Sequence, residues 1–293
     1  MLRLTIACCV MLALCASNAA AGVVWYTADP KNSSWSHLYS VDTATGTITD
    51  RGVIHGQRYV TDLAMGVDGT LYGVGWANDK ANGSSKLYRI TPGDHDTWAD
   101  WEIETVKSSA MDRSVNAAAM RNGDMYVASA DGEFQKLEYD TSKDRWEVAR
   151  SANLSGYRDS GGDLVFSADG NKLFVALEDG YLGSVNFDSS SSDFGKTTTI
   201  GDTGYANLFG LAIVDGQLYG TTVDDSCAGT SYLVRIDPFS GDTSNPILIG
   251  DHVFGATSDP SATIPEPMTM LLLAIGAAVT VLRYRRQSAV RAA

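Results

Sequence analysis

The residues best placed to do chemistry together are two carboxylates and an amide. When five strand-like segments are aligned on their first apolar pair, Asp62, Asn116, Asp163, Gly210 and Gly255 fall on one level. Asp62, Asn116 and Asp163 converging from separate segments would make an oxygen-rich site for sugar hydroxyls or a cation such as calcium. With one acid protonated, the same pair could serve a hydrolase as general acid and base. Two like charges in a partly dry channel repel unless a cation or donor sits between them. The structural alternative is that these side chains cap turns at strand starts, as Asp and Asn often do. The pattern alone assigns no catalytic residue, no metal ligand and no cofactor; calcium is the one ion it would admit.

No other stretch carries a reaction signature. There is no G-x-S-x-G nucleophile elbow, and His37, His55, His95 and His252 are too scattered for an H-E-x-x-H zinc helix. "FGKTTT" at Phe194 holds the Gly-Lys-Thr that ends a phosphate-binding loop, but Ser190 stands where its first glycine should be. "GDHDTWAD" offers Asp94, Asp96 and Asp100 without the spacing of a calcium loop, and reads as a solvated acidic loop. Cys227 has no neighbouring base or cation to lower its pKa.

The elements that must position the aspartates come from a repeat. "HLYSVD", "KLYRIT", "QKLEYD", "GSVNFD" and "YLVRID" end at Asp42, Thr91, Asp140, Asp188 and Asp237, in steps of 49, 49, 48 and 49 residues. Each alternates apolar and polar positions with strand period, which predicts half-buried strands. Upstream of four of them, "LAMGVDGTLYG", "AAAMRNGDMYV", "LVFSADGNKLFV" and "LAIVDGQLYG" place Asp-Gly or Asn-Gly between apolar runs, a hairpin signal. A Ser/Thr/Gly-rich turn then leads to a fourth strand such as "TITDRGVI" or "PILIG". Four antiparallel strands in about 49 residues is the unit of a β-propeller blade.

An all-β propeller follows, with five four-stranded blades; a six-bladed wheel with one degenerate copy and a flat sandwich are the competing architectures. The fifth hairpin is split: Val23–Ala28 has second-strand character and Val253–Ser258 first-strand character, so their pairing would close the ring and remove two open edges. The "LYRI" strands and Asp-Gly hairpins over residues 23–259 resemble the lactonase-like and YVTN-type propellers of bacterial exported proteins.

The termini predict export. Arg3, the apolar stretch Leu4–Ala16 and the small residues of "SNAAAG" have the order of a secretory signal peptide cleaved after Ala21, or after Ala19; Cys15 leaves a lipoprotein signal as the alternative. The expected organisation is signal peptide 1–21, propeller 22–259, linker 260–267, transmembrane helix 268–282 and basic cytoplasmic tail 283–293. The fifteen-residue apolar span reaches about 22 Å as a helix, short of a bilayer core of about 30 Å, with Arg283, Arg285 and Arg286 available to snorkel and to keep that end cytoplasmic. Pro265, Glu266 and Pro267, this span and the "RYRR" cluster together resemble the PEP-CTERM sorting signal. That resemblance implies cleavage by an exosortase-type membrane enzyme and delivery to the cell surface or the extracellular polysaccharide matrix. Ile264 stands where that signal usually has Val.

Composition fits the same route. Cys8, Cys9 and Cys15 fall in the leader, so Cys227 is alone in the exported chain and no intramolecular disulfide can form. Without Arg3, Glu266 and the four tail arginines, residues 22–263 hold 17 basic and 34 acidic residues, a net charge of −17 that disfavours nucleic acid. The expected role is binding or structure at the envelope or in the matrix, with polysaccharide as a partner; the alternative is a secreted hydrolase or lactonase using the channel acids. Exposed tryptophans among Trp25, Trp35, Trp76, Trp98, Trp101 and Trp146 would favour sugar stacking, above all in the loops around Trp76 and Trp98, with buried blade packing as the default for most of them.

Overall fold

The computed structural model describes residues 22–30, 33–76, 85–92, 100–108, 114–156, 160–223 and 230–258. The proposed leader, the sorting motif, the apolar span and the basic tail lie outside the described residues, as do Asp94, Asp96, Trp98 and Cys227. The described residues form twenty strands and one short 3-10 turn, Glu178–Gly180. None of their helices is long and apolar enough to cross a membrane. The fold is all-β and built of four-stranded antiparallel units, as a β-propeller is.

The innermost strands are β4 (Val60–Met65), β8 (Val115–Arg121), β12 (Ser160–Phe166), β16 (Asn207–Val214) and β20 (Val253–Ser258). The units beginning at β8, β12 and β16 run outward through three consecutive strands each. The unit that begins at β4 continues through β5 (Leu71–Trp76) and β6 (Ser85–Pro92) to β7 (Asp100–Val106). The remaining unit is assembled from both ends of the chain. In it β20 pairs with β1 (Val23–Ala28), matching Tyr26 with Ala256, and β1 continues to β2 (His37–Asp42) and β3 (Ile48–His55). This is the pairing expected of the split hairpin. The outer strands β3 and β7 also pair in parallel, Ile54 opposite Trp101, which joins two units into one eight-stranded sheet. Trp101 donates its indole N–H to the Arg51 carbonyl at 2.7 Å and meets Trp25 edge-on, ring centres 6.0 Å apart.

The hairpin signals act as expected where two residues form the turn. Asn122-Gly123 and Asp215-Gly216 have positive φ at both positions (52° and 85°, 51° and 73°), the backbone that matches strand twist and that Asn, Asp and Gly tolerate. The expectation of half-buried strands holds less well. Leu38, Leu87 and Leu233 are fully buried although they share a face with the polar positions of their repeats. The reason is packing: each four-stranded unit buries both faces, one against each neighbouring unit.

Among the described residues the core divides into five apolar clusters, each between two successive units. Tyr26 and Val41 pack with Leu233 and Ile249; Leu38 and Ile54 with Leu63 and Tyr88; Val74 and Leu87 with Met125 and Leu137. Tyr126 and Phe134 pack with Leu173 and Leu177; Phe174 and Leu182 with Leu211 and Val234. The inner strands follow the same cyclic order, with β20 returning to β4.

Candidate functional site

An innermost strand is an edge: its second row of N–H and C=O groups has no sheet partner, and buried groups of that kind must be satisfied or cost free energy. At the centre of this fold five such edges face one another. Each carries a β-bulge at the same height, between Val60 and Asp62, Val115 and Ala117, Ser160 and Leu164, Leu208 and Gly210, and Val253 and Ala256. Just beyond each bulge one N–H points inward, from Leu63, Ala118, Leu164, Leu211 and Ala256.

Two side chains receive all five. Asp62 accepts from Leu63 N at 2.7 Å through Oδ1 and from Ala118 N at 2.6 Å through Oδ2. Asp163 accepts from Leu164 N at 2.5 Å through Oδ1, and through Oδ2 from Leu211 N and from Ala256 N at 3.3 Å. The two carboxyls meet at this level, Asp62 Oδ1 against Gly255 and Asp163 Oδ2 against the next residue, Ala256. Both are 0% exposed. The other three strands leave room by having Ala117, Gly210 and Gly255 at this level. A Cβ on Gly255 would lie 2.2 Å from the Cα and Oδ1 of Asp62, and one on Gly210 would lie 2.8 Å from the backbone nitrogen of Ala256.

A hydrogen bond between carboxyls requires a proton between them. Burial first, then the Asp163 charge, push Asp62 well above the usual carboxylate range. Burial pushes Asp163 up as well, against the pull of the Asp62 hydrogen bond and three backbone N–H donors. Every oxygen of the pair already faces a donor, so a cation placed there would meet N–H groups, and no solvent-exposed atom remains for acid or base catalysis.

The structure thus brings Asp62 and Asp163 together and sets Asn116 apart. Asn116 is the residue that the β8 bulge inserts, so Ala117 occupies the level that sequence alignment gave to Asn116. Its Nδ2 donates to the Ser160 carbonyl at 3.3 Å, toward the N-terminal ends of the inner strands. Among the described residues its Oδ1 has no partner, nor has the hydroxyl of Ser160, which is 3% exposed.

At this same end Tyr59, just before β4, stacks obliquely on Trp76 with centres 5.7 Å apart and meets Phe254 edge-on at 6.2 Å. All three rings are half-buried. Tyr59 has φ 57°, a costly backbone for an aromatic residue, and its N–H reaches Asp29 Oδ2 at 3.3 Å. The Arg58 guanidinium lies 4.7 Å over the Tyr59 ring and forms an ion pair with Asp29 Oδ2 at 3.9 Å, its Nε having no hydrogen-bond partner among the described residues. Among the described residues the indole N–H of Trp76 has no partner either. Rings, an amide, a hydroxyl and a guanidinium are the groups that sugars bind. Of these, sequence reasoning singled out Asn116 and Trp76 and missed Arg58, Tyr59, Ser160 and Phe254. Their shared signal is position, at or beside the bulge that opens each inner strand.

The remaining candidates are dispersed. Trp146 is buried, and Trp25 and Trp101 pack on each other between units. The Gly-Lys-Thr segment lies in a turn, with Phe194 buried against Phe134 at 5.0 Å. Among the described residues no three His, Cys, Asp or Glu side chains gather to hold a metal. A cavity of about 500 Å³ lies away from the inner strands, lined by Asn171, Lys172, Asn186, Phe187, Asp188 and Lys196 among others.

Comparison with known proteins bears on the two parts of the chain separately. Residues 263–286 match the PEP-CTERM protein-sorting motif, a substrate signal for exosortase-type processing that implies export and processing at the membrane. No curated protein matches the chain. Similar solved structures include a Lactobacillus plantarum protein, 14% identical over 81% of this chain and 99% of that one, TM-score 0.46. TolB from Acinetobacter baumannii is 11% identical over 83% of this chain and 67% of its own, TM-score 0.47. The Pseudomonas aeruginosa periplasmic gluconolactonase is 13% identical over 81% and 98%, TM-score 0.47.

Proposed function

We propose that this chain is a five-bladed propeller, exported through its leader and sorted by its PEP-CTERM motif. At the cell surface or in the polysaccharide matrix it binds saccharide at the mouth of the ring. The observation that carries this reading is the half-buried cluster of Tyr59, Trp76 and Phe254 at the same end of the inner strands as Asn116 and Ser160, whose Oδ1 and Oγ are buried and have no partner among the described residues. Aromatic faces stack on the C–H face of a pyranose, while the partly exposed Asn116 side chain offers an amide to its hydroxyls. Arg58 extends the reading to acidic sugars, whose carboxylates a guanidinium recognises better than an ammonium does. The cyclic order of the apolar clusters and of the inner strands supports five blades. Cleavage at Pro265–Pro267 releases the domain from the span at 268–282.

Titration of the full chain with oligosaccharides cut from bacterial exopolysaccharide, read by tryptophan fluorescence and calorimetry, tests this. Saturable binding that Trp76→Ala and Asn116→Ala each weaken supports the site. Binding unchanged in both variants, or no binding to neutral and acidic oligosaccharides alike, overturns it.

A further inference from the structure

We propose that Asp62 and Asp163 form a one-proton clasp that holds the five inner strands together, so that raising the pH loosens the ring. The proposal does not depend on the saccharide reading. It rests on counting donors and acceptors at one level. Five inward N–H groups, one from each inner strand, require acceptors, and the four oxygens of the two carboxyls supply them. One further hydrogen, placed between the two carboxyls, lets them bond to each other. With none, two buried negative charges would abut; with two, five N–H dipoles would face a neutral pair.

Asp163, which accepts three N–H bonds and the Asp62 hydroxyl, holds the negative charge. Asp62, which accepts two, holds the proton. The proton therefore sits on the residue with fewer donors, as pairwise electrostatics requires. Among the described residues no other group at this level competes for it. At this level the neighbours are Thr61 and Leu63 on β4, Asn116 to Ala118 on β8, and Gly162 and Leu164 on β12, then Phe209 to Leu211 on β16 and Phe254 to Ala256 on β20. None is titratable. The one other charged residue on these five strands, Arg121, ends β8 and lies over Phe187 at 4.7 Å.

The sign of the effect follows. An unfolded chain ionises both aspartates above about pH 5, whereas the folded chain keeps one proton, so folding takes up a proton from about pH 5 until the pair loses it. The stability from this proton is complete below the unfolded pKa and declines as pH rises toward the folded one. On the acid side Asp140, held down to about 2 by Ser142 and Lys143, has the opposite sign: its contribution is lost as pH falls. Stability should therefore be greatest near pH 5.

The test is urea unfolding of the full chain in mild detergent from pH 5 to pH 9. For one proton the unfolding constant rises about tenfold per pH unit. Asp62→Asn keeps a donor toward Asp163 but carries no exchangeable acid, so it should flatten that slope while lowering stability at pH 5. In the unaltered protein, carbon-13 labelling of aspartate carboxyls should show one carboxyl still protonated at pH 7. A flat profile in the unaltered protein, a slope retained in Asp62→Asn, or carboxyls that are all ionised at pH 7 would each overturn the clasp. The carboxyl spectrum decides the matter even if the variant does not fold.

Discussion

The centre of the ring and its mouth are built by the same five strands a few residues apart, yet they treat polar groups in opposite ways. At the centre, five backbone donors meet two carboxyls and every oxygen is engaged. At the mouth, Asn116 Oδ1, Ser160 Oγ and Trp76 Nε1 have no partner among the described residues, and Tyr59 sits in strained backbone. A buried polar group that is satisfied contributes to folding, whereas one left open costs stability that a ligand can return. The two aspartates are engaged by backbone donors, and the proposed saccharide site draws on Asn116 and its neighbouring rings instead.

Substitutions that separate the two regions should differ in kind as well as size. The largest effect is expected from Asp163→Ala, which strands three N–H groups and the Asp62 hydroxyl in a dry centre. About 4 kcal/mol or more should be lost in denaturant melts. A loss under about 1 kcal/mol would mean that water reaches the centre and the contrast is false. Gly255→Ala comes next, because its Cβ would overlap Asp62 backbone and carboxyl. A cost of about 3 kcal/mol is expected, with the pH slope weakened as the clasp is pushed apart; calorimetry across pH checks both.

At the mouth, Trp76→Ala should weaken saccharide binding roughly tenfold, worth about 1.4 kcal/mol, with the pH dependence of folding unchanged. The smallest change belongs to Ser160→Ala. Removing an unpartnered buried hydroxyl should leave stability equal or raise it by about 0.5 kcal/mol, with saccharide affinity unchanged. A clear loss of stability would show that the hydroxyl has a structural partner after all.

The fold was far more legible than the site. The 49-residue period, the Asp-Gly hairpins and the split strand pair each follow from local pattern, and pattern survives without coordinates. The pairing of Asp62 with Asp163 was legible for the same reason, since equivalent positions in a closed ring must meet. Asn116 was misplaced because "NAAAM" offers three consecutive alanines and no distinct apolar pair to align on, while the bulge in β8 inserts one residue that composition does not reveal. That both carboxyls would face N–H groups rather than a ligand was also hidden, because backbone donors leave no trace in side-chain identity. The mouth was harder still: Tyr59, Ser160 and Phe254 share no residue type, only a location beside the bulge.

The partnership of Tyr26 with Ala256 sets a schedule as well as a shape. The two residues are separated by almost the whole domain, so this contact closes a very long loop and carries a correspondingly large closure entropy. During translocation β1 emerges first and β20 last, and the first strand must wait with one edge bare while every other unit assembles. Residue 263, where the sorting motif begins, follows Ser258 by only five positions. The moment at which the ring can shut and the moment at which the sorting machinery can grip the chain therefore nearly coincide. A chain whose last strand is delayed would present two bare sheet edges while its sorting motif is already within reach of the processing enzyme.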